Sequence, residues 1–363
     1  MRRILYLLPA LGILLTGCSA LPYAHQIDRT ALMEVLGVDA AEEGQVTVTA
    51  ASGPRPEDQE PLVLSAQAET LSAACADMGR SGEDYVFFGD VEQVLVGEEE
   101  AASGLEPLLT HMARDPELRL EAELWVVKGA PASSLLLEPV EGESLPDRLS
   151  ALSRNAQLLG GPRPQMARGA LTDLLENGDT LLPALERRED GAGNSVLAGA
   201  GYAVVRDGTL RGYLGEEAAF GADLLRGLGE GQVLELPGPG LGSSALKLTG
   251  IETSFRTAFQ GERLTGLRVA CTLETQAAER TDGVPGLGEE DRRTLEAELA
   301  RQATAAIAAA MAGFRALDAD AIHLLDRVAL AVPWKTARLE AQWEEVFPRL
   351  EVSIQVEATV ARD

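Results

Sequence analysis

Leu15-Thr16-Gly17-Cys18 sets a thiol behind two small residues at the close of an apolar run, residues 4–15, that follows Arg2 and Arg3. A basic start, a short hydrophobic span and a small-residue cleavage site mark a secretory signal. The run falls short of the ~20 apolar residues that a membrane-spanning helix needs. The four residues also read as a bacterial lipobox, the site at which a diacylglyceryl group is joined to the cysteine sulfur and the peptide before it is cut. Cys18 is therefore the expected lipid attachment residue, a palmitate-type acyl anchor, and residues 1–17 the expected lipoprotein signal peptide. Two acyl chains, at ~0.8 kcal/mol per buried methylene, hold a protein at a bilayer where one chain does not. The plainer alternative is an ordinary signal peptide with an incidental cysteine.

Other chemistry is sparse. Histidine occurs only at His25, His111 and His323, none near another at metal-ligand spacing, and the remaining cysteines, Cys75 and Cys271, cannot form a CxxC pair. No metal site and no cofactor are expected, and each histidine reads as a surface or helix-face residue. The run Gly238-Pro239-Gly240-Leu241-Gly242 lacks the Lys-Ser/Thr pair of a phosphate-cradling loop and reads as a flexible connection. No G-x-S-x-G nucleophile elbow occurs. Glu98, Glu99 and Glu100 read as a solvated charge run in a loop ahead of a helix, with weak cation binding as the sharper alternative. No catalytic constellation emerges, so the chain is expected not to be an enzyme.

Composition narrows the partners. The 363 residues carry a formal net charge of -26, which opposes binding to phosphate backbones and excludes nucleic acid as an expected partner. The same charge argues against general electrostatic attachment to anionic lipid, leaving the acyl group to hold the chain at a membrane. Hydrophobic residues make up 45% but aromatics only 4%, so the cores must be built from Leu, Val and Ala. Cys75 and Cys271 could pair, but they fall in different expected domains and read as free thiols behaving as small hydrophobes. The stretch "ATAAIAAAMAGF" at 303–314, flanked by Arg301 and Arg315, reads as a buried helix.

The elements that must carry these residues follow from periodicity. The segment from Ala31 suggests a helix and then a strand with alternation at Val46 and Val48. A strand end at Phe87-Phe88-Gly89 and a β-branched run at Val94-Leu95-Val96 precede a helix, with Ser103 and Glu106 forming a capping-box signature. Leu105, Leu108, Leu109 and Met112 share one helical face, Asp115-Pro116 ends that helix, and "AELWVVKG" returns as a strand, a βαβ candidate. Residues 129–196 read as mainly helical, broken at 160–165 and 188–194. Asp207-Gly208 is a type I′ hairpin signal, followed by a helix over 216–228. Strands at "LKLTGIETSFRTAF" and "RLTGLRVACTLET" precede a long helix over 289–317, with Leu295, Leu299, Ile307, Met311 and Phe314 on one side. A second helix is expected over 319–331 and a third from near Trp334. Trp334, Trp343 and Phe347-Pro348 are expected to anchor that third helix and its exit turn in the last core. Strict alternation at 350–358 closes the chain as a strand with one solvated face.

Four segments, in order, resemble one family: the lipobox at Cys18, "FFGDVEQVLVGEEEAASGLEPLLTHMARDPELRLEAELWVVKG" at 87–129, "GYAVVRDGTLRGYLGEEAAFGADLL" at 201–225, and "WEEVFPRLEVSIQVEATV" at 343–360. The chain is similar over essentially its whole length to the Ger(x)C family, the C-subunit lipoproteins of spore germinant receptors. Arg114-Asp115-Pro116 resembles that family's "RDPE" segment, while Asp90 stands where many relatives have His. The resemblance implies an elongated three-domain lipoprotein of mixed α/β (α+β) fold, each domain a mixed sheet with packed helices. The expected division is 18–142, an N-terminal α/β domain, 143–242, a middle α/β domain, and 243–363, a C-terminal α+β domain. It also implies lipid-anchored residence on the outer face of the spore inner membrane. The implied partners are an A subunit and a polytopic B subunit, and the implied role is structural and coupling in nutrient-triggered germination. The competing expectations are a solute-binding lipoprotein of an importer, which would need a cleft with convergent polar groups, and an envelope hydrolase, which would need a positioned nucleophile and base.

Overall fold

The computed structural model describes residues 29–53, 61–138, 144–237, 242–261, 263–281 and 287–361. Among these, strand pairing builds two sheets. The first holds ten strands: β1 (Thr30–Ala40), β2 (Val46–Ser52), β3 (Val63–Ala68), β4 (Tyr85–Phe87), β5 (Gln93–Gly97), β6 (Glu123–Val127), β7 (Gln165–Met166), β8 (Asp179–Glu189), β9 (Ser195–Arg206) and β10 (Thr209–Leu214). Its order is β10-β9-β8-β6-β5-β1-β2-β3, with β4 on β1 and β7 on β6. At its centre β8, β6, β5 and β1 run parallel, and β4 joins β1 in the same sense. All these strands therefore begin at one end of the sheet, called here the leading end.

Parallel strands need crossovers, and the helices supply them on both faces. One face buries α1 (Leu71–Ser81), the α2 (Glu98–Ser103) to α3 (Glu106–Arg114) pair and α6 (Ala167–Asn177) through Leu71, Met78, Leu108, Met112 and Ala170. The other face packs α4 (Ser133–Leu137) and α5 (Leu145–Leu159) around Trp125 through Leu135, Leu136 and Leu149. The second sheet, β11 (Val233–Pro237), β12 (Ser243–Gln260), β13 (Arg263–Arg280) and β14 (Glu351–Val360), is antiparallel except for the β13–β14 pair. The long α8 (Glu289–Ala316) buries Leu295, Leu299, Ile307, Met311 and Phe314 in one core with this sheet. That core also takes in Tyr202 and Val204 of β9 and Leu224 and Leu225 of α7 (Glu216–Arg226), so the two sheets share packing through α7. Gly221 is what lets α7 approach α8, since a methyl there would overlap the Ala306 carbonyl.

The architecture is mixed α/β, as expected; its strands fall into two sheets among the described residues, and the β5–α3–β6 unit has its strands parallel. Strands on either side of residue 142 join one sheet through β6 and β8. The Asp207-Gly208 turn has positive φ at both residues, 50° and 74°, which a type I′ hairpin requires.

Five local expectations are corrected. Residues 30–40 form a strand, β1, not a helix. It is central and covered on both faces, so its apolar residues run nearly continuously and imitate helical spacing. Residues 179–189 and 195–206 are the paired strands β8 and β9, with 190–194 as their turn, where a mainly helical stretch was expected. The helical pattern ends at Gly178, which takes the left-handed conformation as a C-cap. Ser103 closes α2 by donating to the Glu99 carbonyl and caps nothing, and α3 starts without a side-chain cap. Trp334 is 77% exposed and anchors no core, whereas Trp343 and Phe347 are buried with ring centroids 5.8 Å apart. After α9 (Leu324–Ala331) the expected third helix breaks into a short turn at 333–335, then α10 (Thr336–Glu340) and α11 (Trp343–Val346).

Candidate functional site

Several features assemble at the leading end of the first sheet. The chain enters it at Thr30, which pairs with Tyr85 of β4. Tyr85 donates from its hydroxyl to Glu117 Oε1 at 2.8 Å, tying this entry to the Arg114-Asp115-Pro116-Glu117 turn. Within that turn Asp115 Oδ1 accepts from the Glu117 amide at 2.9 Å. The segment singled out by sequence therefore braces the start of β1, where the described chain enters the sheet. Cys18 and His25 lie outside the described residues.

His111 is half-buried between α1 and α3. Its Nδ1 is 3.2 Å from Ser72 Oγ, and its Nε2 is 3.8 Å from Asp115 Oδ2. Burial holds the imidazole pKa below its ordinary value against the opposing pull of Asp115, so the ring is neutral at pH 7. Serine, histidine and carboxylate stand in a row, but 3.8 Å exceeds hydrogen-bond reach. The row thus lacks the oriented base of a nucleophilic triad and serves as a clamp between two helices. Beside it Thr70, Pro107, Thr110 and Arg114 line an open groove of about 490 Å³. Nothing in the local sequence paired Ser72 with His111, since they sit 39 residues apart on different helices.

The leading end also carries the joint to the C-terminal part. Asp179, the first residue of β8, accepts from the Asp320 amide at 2.6 Å. Asp320 in turn accepts from the Leu324 and Leu325 amides at 2.8 and 3.0 Å, starting α9, and from Trp343 Nε1 at 3.0 Å. His323 Nε2 lies 3.0 Å from the Asp179 carbonyl oxygen, with the ring held at a left-handed backbone position. Arg206, at the end of β9, reaches Asp318 at 2.6 Å and Glu344 at 3.3 Å. Burial pushes Asp179 up to about 6, offset by the Asp320 amide and Arg206, and pushes Asp320 up to about 7, offset by the amides it caps. A second buried network holds α7 to β9: Tyr202 donates to Asp223 Oδ1 at 2.7 Å while accepting from the Arg163 amide. Sequence reasoning passed over Asp179, Asp320 and Asp223, which look like surface carboxylates in a chain this acidic.

At the opposite end, where the parallel strands finish, Asp39, Gly97, Glu98, Gly129 and Pro131 line a crevice of about 360 Å³. Open α/β sheets often bind ligands in such a crevice. Here the carboxylates are engaged in structure. Asp39 accepts from the Ala132 and Ser133 amides at 2.5 and 2.8 Å, and Glu98 accepts from the Tyr213 hydroxyl at 2.9 Å. Glu98, Glu99 and Glu100 form the first turn of α2, not a loop ahead of a helix. Among the described residues no group of three or more His, Cys, Asp or Glu could hold a metal ion, and no helix is long and apolar enough to cross a membrane. Residues 238–241 of the glycine-rich run lie outside the described residues, between β11 and β12. Cys75 and Cys271 are both free thiols.

The sequence matches two family profiles in tandem, the spore germination protein N-terminal domain over residues 24–187 and the spore germination B3/GerAC-like C-terminal domain over 200–363. The chain belongs to the Ger(x)C family of spore germination proteins. A putative spore germination protein of Bacillus subtilis (strain 168), YfkR, is 23% identical over 278 residues, 72% of this chain and 68% of that one. The crystal structure of the GerBC protein is similar in fold, with a TM-score of 0.58 at 14% identity over 90% of this chain and 97% of that chain. Within this Ger(x)C chain the seam between the two matched regions, 188–199, falls in the β8–β9 hairpin.

Proposed function

We propose that this Ger(x)C protein is the C-type lipoprotein subunit of a spore germinant receptor. It is anchored through acylated Cys18 on the outer face of the spore inner membrane and couples A- and B-type membrane subunits during nutrient-triggered germination. The observation that carries this reading is the tandem match of both spore germination domains along the chain. The bracing of the tether entry by the 114–117 turn supports it, because a lipid-held subunit must transmit load from its anchor into its sheet. The serine, histidine and carboxylate row has no oriented base, which supports a non-enzymatic role.

Spores lacking the gene, challenged with single nutrients and with a receptor-independent trigger, test the role through dipicolinic acid release. Loss of one nutrient response with the control intact is the expected result; intact responses to every nutrient would overturn it. Cys18→Ala tests the anchor separately. The variant is expected to fold, to incorporate no palmitate analogue and to leave the membrane fraction when expressed without partner subunits.

A further inference from the structure

The most exposed large apolar side chain among the described residues is Leu330, at 83%, and Trp334, at 77%, follows it four positions later. Both lie in the stretch "RVALAVPWKTARL" at 327–339, which carries Arg327, Lys335 and Arg338 and no acidic residue, in a chain where acidic residues number 57 against 31 basic ones. Lys335 is packed, not adrift. Its ammonium stands 4.1 Å from the Phe259 ring centroid and 3.4 Å from the Gly261 carbonyl, fixing the stretch against the tip of the β12–β13 hairpin. Arg327 covers Phe255 of the same hairpin at 5.1 Å. Arg263 follows that tip and lines an open groove with Arg349. An exposed tryptophan and leucine rimmed by arginine and lysine is the composition that settles at a bilayer interface, the ring at headgroup depth and the cations on anionic lipid.

The position agrees. The segment that carries Trp334 is fastened to the leading end of the first sheet by the Asp179–Asp320 contact and by Arg206. The N-terminal tether enters the same end at Thr30. Eleven residues lie between Cys18 and Thr30, a reach of up to roughly 40 Å when extended. We infer that the Leu330–Trp334 surface, with Lys335, Arg338 and Arg263, is a second membrane contact that seats on anionic lipid beside the acyl anchor. This rests on the lipid-anchored reading of the chain. One acyl-bearing tether leaves orientation free, whereas a second contact on the body would fix which face of the protein meets the bilayer.

The test uses the chain from residue 18 onward with Cys18→Ser, the unlipidated form that remains when the leader is removed. Phosphatidylglycerol-rich vesicles are compared with phosphatidylcholine vesicles at low and at physiological salt. Trp125 and Trp343 are buried, so solvent-exposed emission reports Trp334. Expected are a blue shift and protection from acrylamide with the anionic vesicles only, both lost in Trp334→Phe, whose binding is otherwise kept. Cosedimentation should fall roughly 30-fold in Lys335→Gln/Arg338→Gln, each basic residue near an anionic surface contributing about 5-fold. Leu330→Ser/Trp334→Ser should fail to bind. Unchanged Trp334 emission with anionic vesicles, or equal cosedimentation of all variants, overturns the proposal. Palmitate labelling at Cys18 reads the anchor independently, so failure of either idea is visible without the other.

Discussion

Substituting Gly221 by alanine puts the α7–α8 contact to a direct test. The added methyl would overlap the Ala306 carbonyl and stand 2.8 Å from the Ile307 nitrogen, and both obstacles are backbone of a buried helix that no rotamer change can move. The helices must part by on the order of 1 Å, and a gap of that size forfeits a quarter to a half of the dispersion energy of each facing atom pair. Overpacking of this kind costs about 1–3 kcal/mol, and the rigid obstacles place it near the top of that range. Alanine returns about 1 kcal/mol of helix propensity over glycine. The net expectation is a loss of about 2 kcal/mol in the part of the protein that holds α8 and the second sheet. Urea unfolding followed by Trp343 fluorescence reads that part, since Trp343 belongs to the same core. Gly79→Ala is the control: it lies in α1 with open space around the new methyl, so it should gain up to about 1 kcal/mol. If Gly221→Ala is as stable as the parent while Gly79→Ala behaves as stated, the close approach of α7 to α8 is not what couples the two sheets.

The raised values of Asp179 and Asp320 have a signed consequence. Folding keeps protons on these carboxyls that the unfolded chain, at about 3.9, has lost. Their contribution is therefore full below about pH 4 and declines as pH rises through 6 to 7. The urea midpoint should fall between pH 5.5 and 7.5, less steeply in Asp179→Asn, whose amide oxygen can still accept from the Asp320 amide; equal slopes would refute the assignment. Asp39→Ala should cost about 2 kcal/mol by orphaning the Ala132 and Ser133 amides, measured by denaturation, with Asp39→Asn retaining part of it. Burial, reinforced by Asp115 and Glu117, pushes the Cys75 thiol up to about 12, and burial also raises Cys271. Neither should react with Ellman's reagent at pH 8 until the chain is unfolded; prompt labelling of the native protein would contradict this.

Patterns with a long period and one solvated face were legible. The alternation of β14, the α8 stripe ending at Phe314 and the Asp207-Gly208 turn all stand where periodicity or turn chemistry puts them. What escaped was set by tertiary position. β1 is flanked by strands and covered on both faces, which erases the alternation that would have named it a strand. The tail of "LLPALERRE" reads as helix until its pairing with β9 is known. The site was legible at the 114–117 turn, because proline after Asp115 fixes where α3 stops. The Asp179–Asp320 joint was not, since its partners lie 141 residues apart and neither carries a local signal. Its ring type places Trp334 in a core by sequence, and only the path of 333–340 over the hairpin tip turns it outward.

The β8–β9 hairpin also bears on how this protein could be cut or inherited. The two recognised halves meet inside it, and residues 179–206 pair almost throughout. Half of the chain made alone would end in a strand stripped of its neighbour, an open edge that invites aggregation or exchange with another copy. A recombination event at this seam would have to deliver a matching partner strand in register. The two halves are therefore expected to travel through genomes as one gene, and limited proteolysis in the 190–194 turn should leave a nicked but undissociated molecule.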